Sequence, residues 1–333
     1  MPGEGASDAT AGGQLGPVIV MSFNRPHYLR ETLLSLAAQP CVAAGRREVH
    51  LFQDGAVNFH SGERYATDEE IEASVATFRS VFPAGTVHLA ERNIGIALNF
   101  DRAERHVFLK RRFASACFFE DDMVLGPHYL ATLQRFLDYA ASPASHGMVG
   151  YVAAYGHHKA GLEEQLRKRR QVLLLGHAWG YGVTREHWLK VREVIDPYIK
   201  IVSDCDYRNR PKSRIGGIHN ALGLAVRALS QDAMKMIATH WLGRVRLMPF
   251  VCNARYVGAQ GVNFTPESWA KRGYGNEQLF PEEQTEFDWP SRDELAAMLA
   301  KLREEQAAHC REAYGDRDMP VPPLGTFRAD EHA

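Results

Sequence analysis

The chain has 333 residues, which is enough for one large domain or two modest ones with an ample core. Hydrophobic residues make up 45% and charged residues 24%, the ordinary balance of a globular protein. The formal net charge of −1 excludes a broad electrostatic attraction to nucleic acid or anionic membranes, so no nucleic-acid partner is expected. No stretch approaches the roughly 20 apolar residues of a transmembrane segment.

The two ends of the chain differ in composition from the middle. Residues 1–15 are Gly-rich and acidic and lack the basic and apolar regions of a signal peptide, which predicts a disordered leader. Residues 319–333 begin with a Pro-rich stretch and are predicted to be a flexible tail. The five cysteines are widely spaced without a CxxC motif, and Cys117 lies in an apolar run typical of a core residue. A cytoplasmic location is expected.

The first half of the chain alternates between strand and helix patterns. Strands are predicted at 17–23, 49–52 and 87–89, and a polar or Gly-containing turn follows each of them. Helices are predicted at 27–39, at 67–82 from a capping-box spacing, and at 96–112. This alternation predicts a parallel sheet with right-handed crossovers.

Residues 117–124, Cys-Phe-Phe-Glu-Asp-Asp-Met-Val, are the most informative stretch. A short apolar run that ends at a turn predicts a strand buried on both faces. Three adjacent carboxylates repel one another and need a compensating cation. Hard oxygen ligands at a strand end favour Mg²⁺ or Mn²⁺, which typically bridges to nucleotide phosphates at this edge of an α/β sheet. A solvated acidic loop is the alternative interpretation.

The second half of the chain is less regular. Strands are predicted at 148–152, 172–175 and 246–251, and helices at 185–194, 220–229, 230–241 and 291–312. Residues 203–220 have the composition of a loop. The Gly-rich stretch 176–182 is interpreted either as a sugar- or acceptor-binding loop or as a turn anchored by Trp179. The basic run 167–170 either covers a diphosphate or forms a solvated helix face.

Four motifs together resemble glycosyltransferases of the GT-A fold. These are Ser22-Phe23-Asn24-Arg25-Pro26, Gln53-Asp54-Gly55, Asn93-Ile94-Gly95 and Glu120-Asp121-Asp122. The Glu-Asp-Asp form of the DXD motif, with residues 176–188 and Asp232 behind it, is most similar to the N-acetylglucosaminyltransferase-I-like group. The resemblance covers roughly residues 17–265.

The resemblance implies an α/β, Rossmann-like nucleotide-diphospho-sugar transferase fold, with a mixed, mostly parallel sheet flanked by helices. The GT-A domain would span 16–265, with a nucleotide-binding half at 16–125 and an acceptor half at 126–265. A C-terminal helical extension would follow at 266–318. The implied enzyme is a hexosyl- or N-acetylhexosaminyltransferase that uses a nucleoside-diphosphate sugar, with UDP as the default, and Mn²⁺ or Mg²⁺.

The resemblance also assigns roles to single residues. Ser22, Asn24 and Arg25 would contact the nucleotide, and Asp54 its base or ribose. Asn93 and Gly95 would lie beside the nucleotide, where Gly lets the backbone approach closely. Glu120 and Asp121 would contact the donor sugar, the ribose or metal-bound water. Asp122 would hold the metal, and Asp232 would be the catalytic base.

The chemistry of sugar transfer supports these roles independently. A metal stabilises the departing diphosphate, and an inverting reaction needs a carboxylate to take the acceptor proton on the opposite face. Asp232 has a second interpretation, because an Asp near a helix start is often a cap. Asp204 and Asp206 are alternatives for the base, and retention of configuration stays open.

The sequence departs from the family in two respects. Many GT-A enzymes supply a C-terminal histidine to the metal, whereas residues 258–263 contain none. This suggests that Asp122 is the main protein ligand or that the metal requirement is weak. His157 and His158 are interpreted either as ligands of the metal or phosphate or, more commonly for histidines, as surface residues. The Golgi members of that group carry a membrane anchor and a stem, and we expect neither in this chain. The expected acceptor is therefore a saccharide, a lipid-linked saccharide, a small metabolite or a protein.

Other functions are less consistent with the motifs. A nucleotidyltransferase would carry a Gly-rich phosphate loop after its first strand, where this chain has Ser-Phe-Asn-Arg-Pro. No GxGxxG motif opens the first helix, which disfavours a dehydrogenase. A non-catalytic nucleotide- or carbohydrate-binding protein is the alternative from another class.

Overall fold

A computed structural model describes residues 15–177, 179–222, 228–261 and 264–314. Three predicted features lie wholly or partly outside these ranges: the leader apart from residue 15, the tail at 319–333, and part of the 220–229 helix. In the described part, the strands are β1 (Val18–Ser22), β2 (Val49–Gln53), β3 (Thr86–Leu89), β4 (Ser115–Phe119), β5 (Met123–Leu125), β6 (Val149–Val152), β7 (Val172–Leu174), β8 (Gly180–Thr184), β9 (Val245–Pro249) and β10 (Ala254–Tyr256).

Eight of these strands form one mixed sheet in the order β3-β2-β1-β4-β8-β6-β9-β7. The neighbours β3-β2, β2-β1, β1-β4 and β6-β9 are parallel. The other three neighbouring pairs are antiparallel. The remaining strands, β5 and β10, pair with each other in a small antiparallel sheet. The predicted mixed, mostly parallel sheet is confirmed.

Helices cover the sheet. They are α1 (Pro26–Ala37), α2 (Pro40–Ala43), α3 (Asp68–Val81), α4 (Gly95–Arg105), α5 (Tyr129–Ala141), α6 (Leu162–Arg167), α7 (Arg185–Ser203), α8 (Lys212–Ala221), α9 (Gln231–Trp241), α10 (Pro266–Lys271) and α11 (Arg292–Tyr314). A π-helical segment, His106–Lys110, follows α4, and short 3₁₀ turns lie at Pro143–Ser145 and Tyr207–Asn209. The C-terminal helix is therefore present, and it packs on α9 and β9. No helix of the described ranges combines the length and apolar character that crossing a membrane requires.

The local sequence explains the elements that lead to the carboxyl edge of the sheet. Pro26 starts α1 with its fixed φ, and α1 buries the predicted apolar positions Leu29, Leu33 and Leu36. Each such leucine contributes roughly 1.5–3 kcal/mol when fully buried. The capping box between Thr67 and Glu70 starts α3, as its spacing predicts.

The strand that ends in the carboxylates is central and buried on both faces. Cys117, Phe118 and Phe119 are fully buried, and β4 lies between β1 and β8. The chain then leaves the main sheet as β5 and pairs with β10. This pairing places the residues around Tyr256 over the carboxylates, and the Val257 N–H donates to the Asp122 carbonyl oxygen at 2.9 Å.

Two stretches that the sequence predicted to be loops contain regular secondary structure. In the Gly-rich stretch 176–182, residues 180–182 belong to strand β8. Gly180 and Gly182 are required there because bulky side chains of the neighbouring elements pack against them. A Cβ at Gly180 would lie 2.9 Å from the Phe119 ring, and one at Gly182 would lie 3.0 Å from Leu137. The predicted loop at 203–220 contains most of α8, which buries Ile215 and Ile218 at helical spacing. In both stretches the glycines gave the appearance of a loop.

Candidate active site

The acidic triplet lies at the carboxyl end of β4 and contacts a cation of the chain itself. Asp121 and Asp122 are buried, and Glu120 is half-buried. Arg25, from the turn between β1 and α1, lies with Nη2 2.8 Å from Asp122 Oδ2. The same nitrogen donates to Asp121 Oδ1, and Nε donates to Asp121 Oδ2 at 3.4 Å. Arg25, expected to contact the nucleotide, therefore supplies part of the compensating charge.

The pKa of each carboxyl group in the triplet is raised, with burial as the largest cause. Burial, and then the charge of Asp121, raise the pKa of Asp122 to about 6 against the opposing effect of Arg25. Burial also raises the pKa of Asp121, again opposed by Arg25. Burial raises the pKa of Glu120, and the charges of Asp122 and Asp232 add to this effect. A cation bound here would relieve the repulsion.

Three buried polar atoms at this edge have no hydrogen-bond partner within the described ranges. They are Ser22 Oγ, Gln53 Oε1 and Asp122 Oδ1. The residues end or follow β1, β2 and β4, which are neighbours in the sheet. Leaving such a group unpaired costs about 1–3 kcal/mol, so the edge favours a ligand that would pair them. The free oxygen of Asp122 also fits a divalent cation. Gln53 was not among the predicted site residues.

Asp54 and Asn93 bind each other and the backbone of the adjoining turn. Asp54 Oδ1 accepts from the N–H groups of Gly55 and Ile94, both at 2.9 Å. Oδ2 accepts from Gly95 N–H and Asn93 Nδ2, both at 3.0 Å. Burial raises the pKa of Asp54 to about 6, and the backbone hydrogen bonds oppose this shift. The structure thus brings these three predicted residues together and gives the Asp54 carboxylate four donors within the protein.

Gly95 begins α4 with a φ of +77°, which favours glycine. A Cβ there would lie 2.8 Å from the Cβ of Tyr207. The group that approaches Gly95 closely is therefore the Tyr207 side chain. Asn24 is half-buried in the turn that also carries Arg25. Asn24 and Gly95 therefore both lie at the carboxyl edge of the sheet.

Asp232 occupies the second position of α9 and is half-buried. The N-cap is Ser230, whose Oγ accepts from the Ala233 N–H at 3.3 Å, so the Asp232 side chain is not the cap. Burial raises the pKa of Asp232 to about 6, while Lys235 and Arg246 oppose the shift. A carboxylate with this pKa is suited to accept a proton near neutral pH.

A small cavity lies beside Asp232. Its volume of about 10 Å³ accommodates roughly one water molecule. Its lining includes Tyr151, His177, Tyr181, Lys235 and Arg246. Both ring nitrogens of His177 are buried without a hydrogen-bond partner in the part that the structure describes. Two of the other lining residues, Leu175 and Met236, are apolar.

Lys235, which lines this cavity, belongs to a buried ion pair that the sequence pattern did not indicate. Lys235 Nζ donates to Glu104 Oε1. Glu104 also accepts from Tyr181 Oη and from Trp188 Nε1, each at 3.0 Å. Because Glu104 and Lys235 are 131 positions apart in the chain, no local spacing could have linked them.

The alternatives for the base have other surroundings. Asp206 accepts hydrogen bonds from Ser61 Oγ at 2.7 Å, from Tyr65 Oη and from the Arg208 N–H at 2.9 Å. Burial raises the pKa of Asp206, but these hydrogen bonds outweigh it and the pKa is lowered overall. Asp204 is exposed at the end of α7. Asp232 fits the base role better than either residue.

Aromatic rings flank the carboxylates on the side of β10. Trp179 is stacked on Tyr256 with ring centroids 4.1 Å apart, and its carbonyl oxygen accepts from the Glu120 N–H at 2.8 Å. The rings of Tyr155 and His177 also contact Trp179. Stacked rings beside polar groups are suited to a sugar face. Ala178, in the same predicted loop, lies outside the described residues.

The segment after β10 passes over the triplet. A Cβ at Gly258 would lie 2.5 Å from Asp122 Oδ2, and the Gln260 carbonyl oxygen accepts from Arg25 Nη1 at 3.5 Å. Residues 262–263, which end the stretch without a histidine, lie outside the described ranges. The basic run pairs with surface carboxylates, since Lys168 contacts Glu164. This pairing fits a solvated surface better than a cover for a diphosphate.

A second cavity, of about 670 Å³, lies at the opposite edge of the sheet from the carboxylate triplet. Its lining includes Gly16, Ser115 and Thr184, next to the amino ends of β1 and β4. The carboxylate triplet and Asp232 are not part of it. The chemistry of the residues, rather than cavity size, therefore identifies the candidate site.

No family model and no curated protein matches the chain. Among solved structures, it is similar to S. aureus TarS, with a TM-score of 0.44, 14% identity, and coverage of 89% of this chain and 43% of that chain. For TarS 1-349 the TM-score is 0.44, the identity 14% and the coverage 90% and 72%. For GalNAc-T7 with UDP, GalNAc and Mn²⁺, the values are 0.48, 11%, and 94% and 59%. The chain thus spans less than two thirds of the GalNAc-T7 chain and of the longer TarS chain.

Proposed function

We propose that the chain is a glycosyltransferase that moves a sugar from a nucleoside-diphosphate sugar to an acceptor hydroxyl. One observation carries the proposal. Asp122, which is buried, and Asp232, which is half-buried, both act electrostatically on Glu120, and burial raises the pKa of each to about 6. One can hold a cation beside a departing diphosphate, and the other can accept a proton.

The donor nucleotide would lie across the ends of β1, β2 and β4. Ser22 Oγ and Gln53 Oε1 are the unpaired polar atoms that it can contact. Arg25 would share its charge between the carboxylates and the donor phosphates. Asp54, Asn93 and Gly95 would hold the neighbouring turn in shape. UDP is the donor nucleotide that we test first, on the resemblance of the motifs alone.

The residues at the triplet fit a divalent cation, with Asp122 as the holding group and Glu120 and Asp121 close by. When bound, Mn²⁺ or Mg²⁺ would stabilise the charge on the departing diphosphate. The contribution of the chain is to keep Asp122 ionised, which Arg25 does by lowering its pKa against the effect of burial.

Asp232 would take the proton from the acceptor hydroxyl as that hydroxyl attacks the anomeric carbon. Lys235 and Arg246 keep the carboxylate ionised, because both lower its pKa. Attack on the face opposite the diphosphate gives inversion. The transferred sugar would be a hexose or N-acetylhexosamine, and the rings of Trp179 and Tyr256 would pack against the acceptor. We propose residues 16–265 as the domain that performs the reaction, on a saccharide, lipid-linked saccharide, metabolite or protein acceptor.

A second candidate function has one observation in its favour. The ion pairs of Arg25 with Asp121 and Asp122 stabilise the triplet without a metal. A protein that binds a nucleotide or carbohydrate without turnover would need no more than this. Loss of Asp232 separates the two functions, since it should stop transfer in an enzyme and matter little in a binding protein.

Calorimetric titration of UDP and GDP tests the donor site. We expect one of them to bind with a Kd that falls when Mn²⁺ is added. The same titration with ATP, and with UTP plus a sugar 1-phosphate, tests for a nucleotidyltransferase. If neither diphosphate binds under any metal condition, the donor site is wrong.

The pH dependence of transfer should report the base. Asp232 must be ionised to accept a proton, so activity should fall as the pH decreases through about 6. The substitution Arg246→Met removes a cation that lowers the pKa of Asp232. The acidic limb should then move to higher pH by roughly one unit. The control is Arg135→Met, because Arg135 is half-buried and forms its ion pair with Glu283. An unmoved limb in Arg246→Met would exclude Asp232 as the titrating base.

Loss of the Trp179 ring should weaken acceptor binding more than nucleotide binding. The substitution Trp179→Leu removes the stack on Tyr256, and we expect the acceptor KM to rise up to about tenfold with nucleotide affinity unchanged. Trp289→Leu, which removes a similar stack on Tyr139, is the matched control. Steady-state kinetics with varied acceptor measure the change. An equal loss of nucleotide affinity would contradict this placement of Trp179.

A further inference from the structure

Three histidines converge beside the edge strand of the sheet, away from the proposed reaction. They are His50 on β2, His88 on β3, and His106 directly after α4. The parallel register pairs Phe52 with His88, so His50 and His88 share one face of the sheet. One ligand nitrogen from each of the three rings lies within 4.8 Å of the others.

We propose that His50, His88 and His106 form a binding site for a transition-metal ion, with Zn²⁺ as the preferred metal. Nδ1 of His50 and Nε2 of His88 are 3.1 Å apart. Two zinc–nitrogen bonds of about 2.0–2.1 Å at a tetrahedral angle place their nitrogens roughly 3.3–3.4 Å apart. The observed separation is within a few tenths of an ångström of that value. Water would take the fourth position.

The third ring has a nitrogen available. His106 Nε2 is buried and has no hydrogen-bond partner within the described ranges. Its ring centroid is 4.5 Å from that of His88. A buried ring nitrogen without a partner costs free energy, and coordination of a metal ion would remove that cost. This atom is the independent sign that the cluster is built for a ligand.

A carboxylate sets the orientation of His50. His50 Nε2 is 3.1 Å from Glu48 Oε2, so the ring donates from Nε2 and leaves Nδ1 unprotonated toward His88. Metal-binding histidines commonly donate their second ring N–H to a carboxylate in this way. Arg111 in turn donates to both Glu48 oxygens at 3.1 Å. Glu48 is therefore a positioning residue for the proposed site.

The ligand atoms, rather than the surrounding charges, select the type of metal. Neutral imidazole is the form of histidine that binds metals. The cations Arg102, Lys110 and Arg111 act on the cluster and oppose a metal charge. Imidazole nitrogen suits Zn²⁺ and its neighbours, whereas Mg²⁺ and Mn²⁺ prefer oxygen. The site should therefore discriminate against the metals expected at Asp122.

A metal ion here would connect three elements. It would join the edge strand β3 to β2 and to the end of α4, whose first residue, Gly95, is held by Asp54. An ion that binds only the folded chain raises the free energy of unfolding. The inference does not depend on the proposed transfer reaction.

Zinc titration of the metal-free full chain tests the site. Competition with a chromophoric chelator should give one tightly bound Zn²⁺ per chain, which excess Mn²⁺ does not displace. Zn²⁺ should raise the Tm, and Co²⁺ should give the visible absorption of a four-coordinate ion. The same binding should persist in Asp122→Asn, which separates it from the carboxylate triplet.

Two variants remove a ligand and keep an aromatic ring. His88→Phe retains the stack on Phe52, whose ring centroid is now 4.2 Å from that of His88, and His106→Phe keeps the ring volume. Each should weaken Zn²⁺ binding about a hundredfold, while Glu48→Gln should weaken it roughly tenfold. The control is His146→Asn, because His146 is exposed with a φ of +50° that Asn tolerates.

The metal-free Tm of each variant shows that it folds. Unchanged zinc affinity in both Phe variants would overturn the proposal. It would also be overturned if His146→Asn weakened binding as much as they do, or if the native chain bound no Zn²⁺.

Discussion

Substitution of Asp232 by Asn should lower the rate of sugar transfer roughly a thousandfold, within the range that general base catalysis contributes. The Asn side chain keeps the shape and can still accept from Gln231, but it cannot take a proton. Nucleotide affinity should stay within about twofold, because the substitution leaves the triplet and Arg25 intact. Transfer kinetics and calorimetric titration of the nucleotide measure the two effects on one preparation.

The matched control is Asp204→Asn. Asp204 was an alternative base from the sequence, and its side chain is exposed after α7. We expect transfer by Asp204→Asn to be close to that of the native chain. Full activity in Asp232→Asn would exclude a base role for Asp232. If Asp204→Asn were the inactive variant, the base would belong to the loop after α7.

The second large effect concerns the metal-dependent part of nucleotide binding. Asp122→Asn keeps the volume but removes the charge that would hold the cation. We expect the gain in affinity that Mn²⁺ gives to fall at least about tenfold, or 1.4 kcal/mol. The physical reason is that Asp122 has one oxygen free of hydrogen bonds within the described ranges. Calorimetric titration with and without Mn²⁺ gives the difference.

Asp121→Asn is the control on the neighbouring residue. Both oxygens of Asp121 accept from Arg25, so this carboxylate has less capacity for a cation. Its loss should change the effect of Mn²⁺ less than the loss of Asp122. An unchanged Mn²⁺ effect in Asp122→Asn would mean that Asp122 does not hold the metal. Arg25 would then be the main counter-ion for the donor.

The sequence was informative where one stretch determined the local structure. The apolar run before Glu120 predicted β4 and its buried position, because both faces of that strand must be covered. The cap at Thr67 and the proline at 26 predicted the starts of α3 and α1. Asp54, Asn93 and Gly95 were predicted to share one edge of the sheet, and they bind one another.

The site contacts between distant residues were not predictable from a local pattern. Arg25 and Asp121 are 96 positions apart, and only the parallel pairing of β1 with β4 brings them together. The three-residue strand β10 is too short to have a periodicity of its own. The glycines of β8 resembled a turn, although neighbouring side chains require them in a strand. The assignment to the N-acetylglucosaminyltransferase-I-like group stays a prediction.

The most direct test of the central claim is cleavage of a nucleotide sugar. The chain is incubated with Mn²⁺ and a panel of UDP- and GDP-sugars, and release of the nucleoside diphosphate is measured with and without candidate acceptors. We predict release from sugars of one nucleotide class, stimulated by an acceptor and lost with EDTA and in Asp122→Asn. A chain that binds the diphosphate but cleaves no nucleotide sugar in any combination would contradict the assignment as a glycosyltransferase.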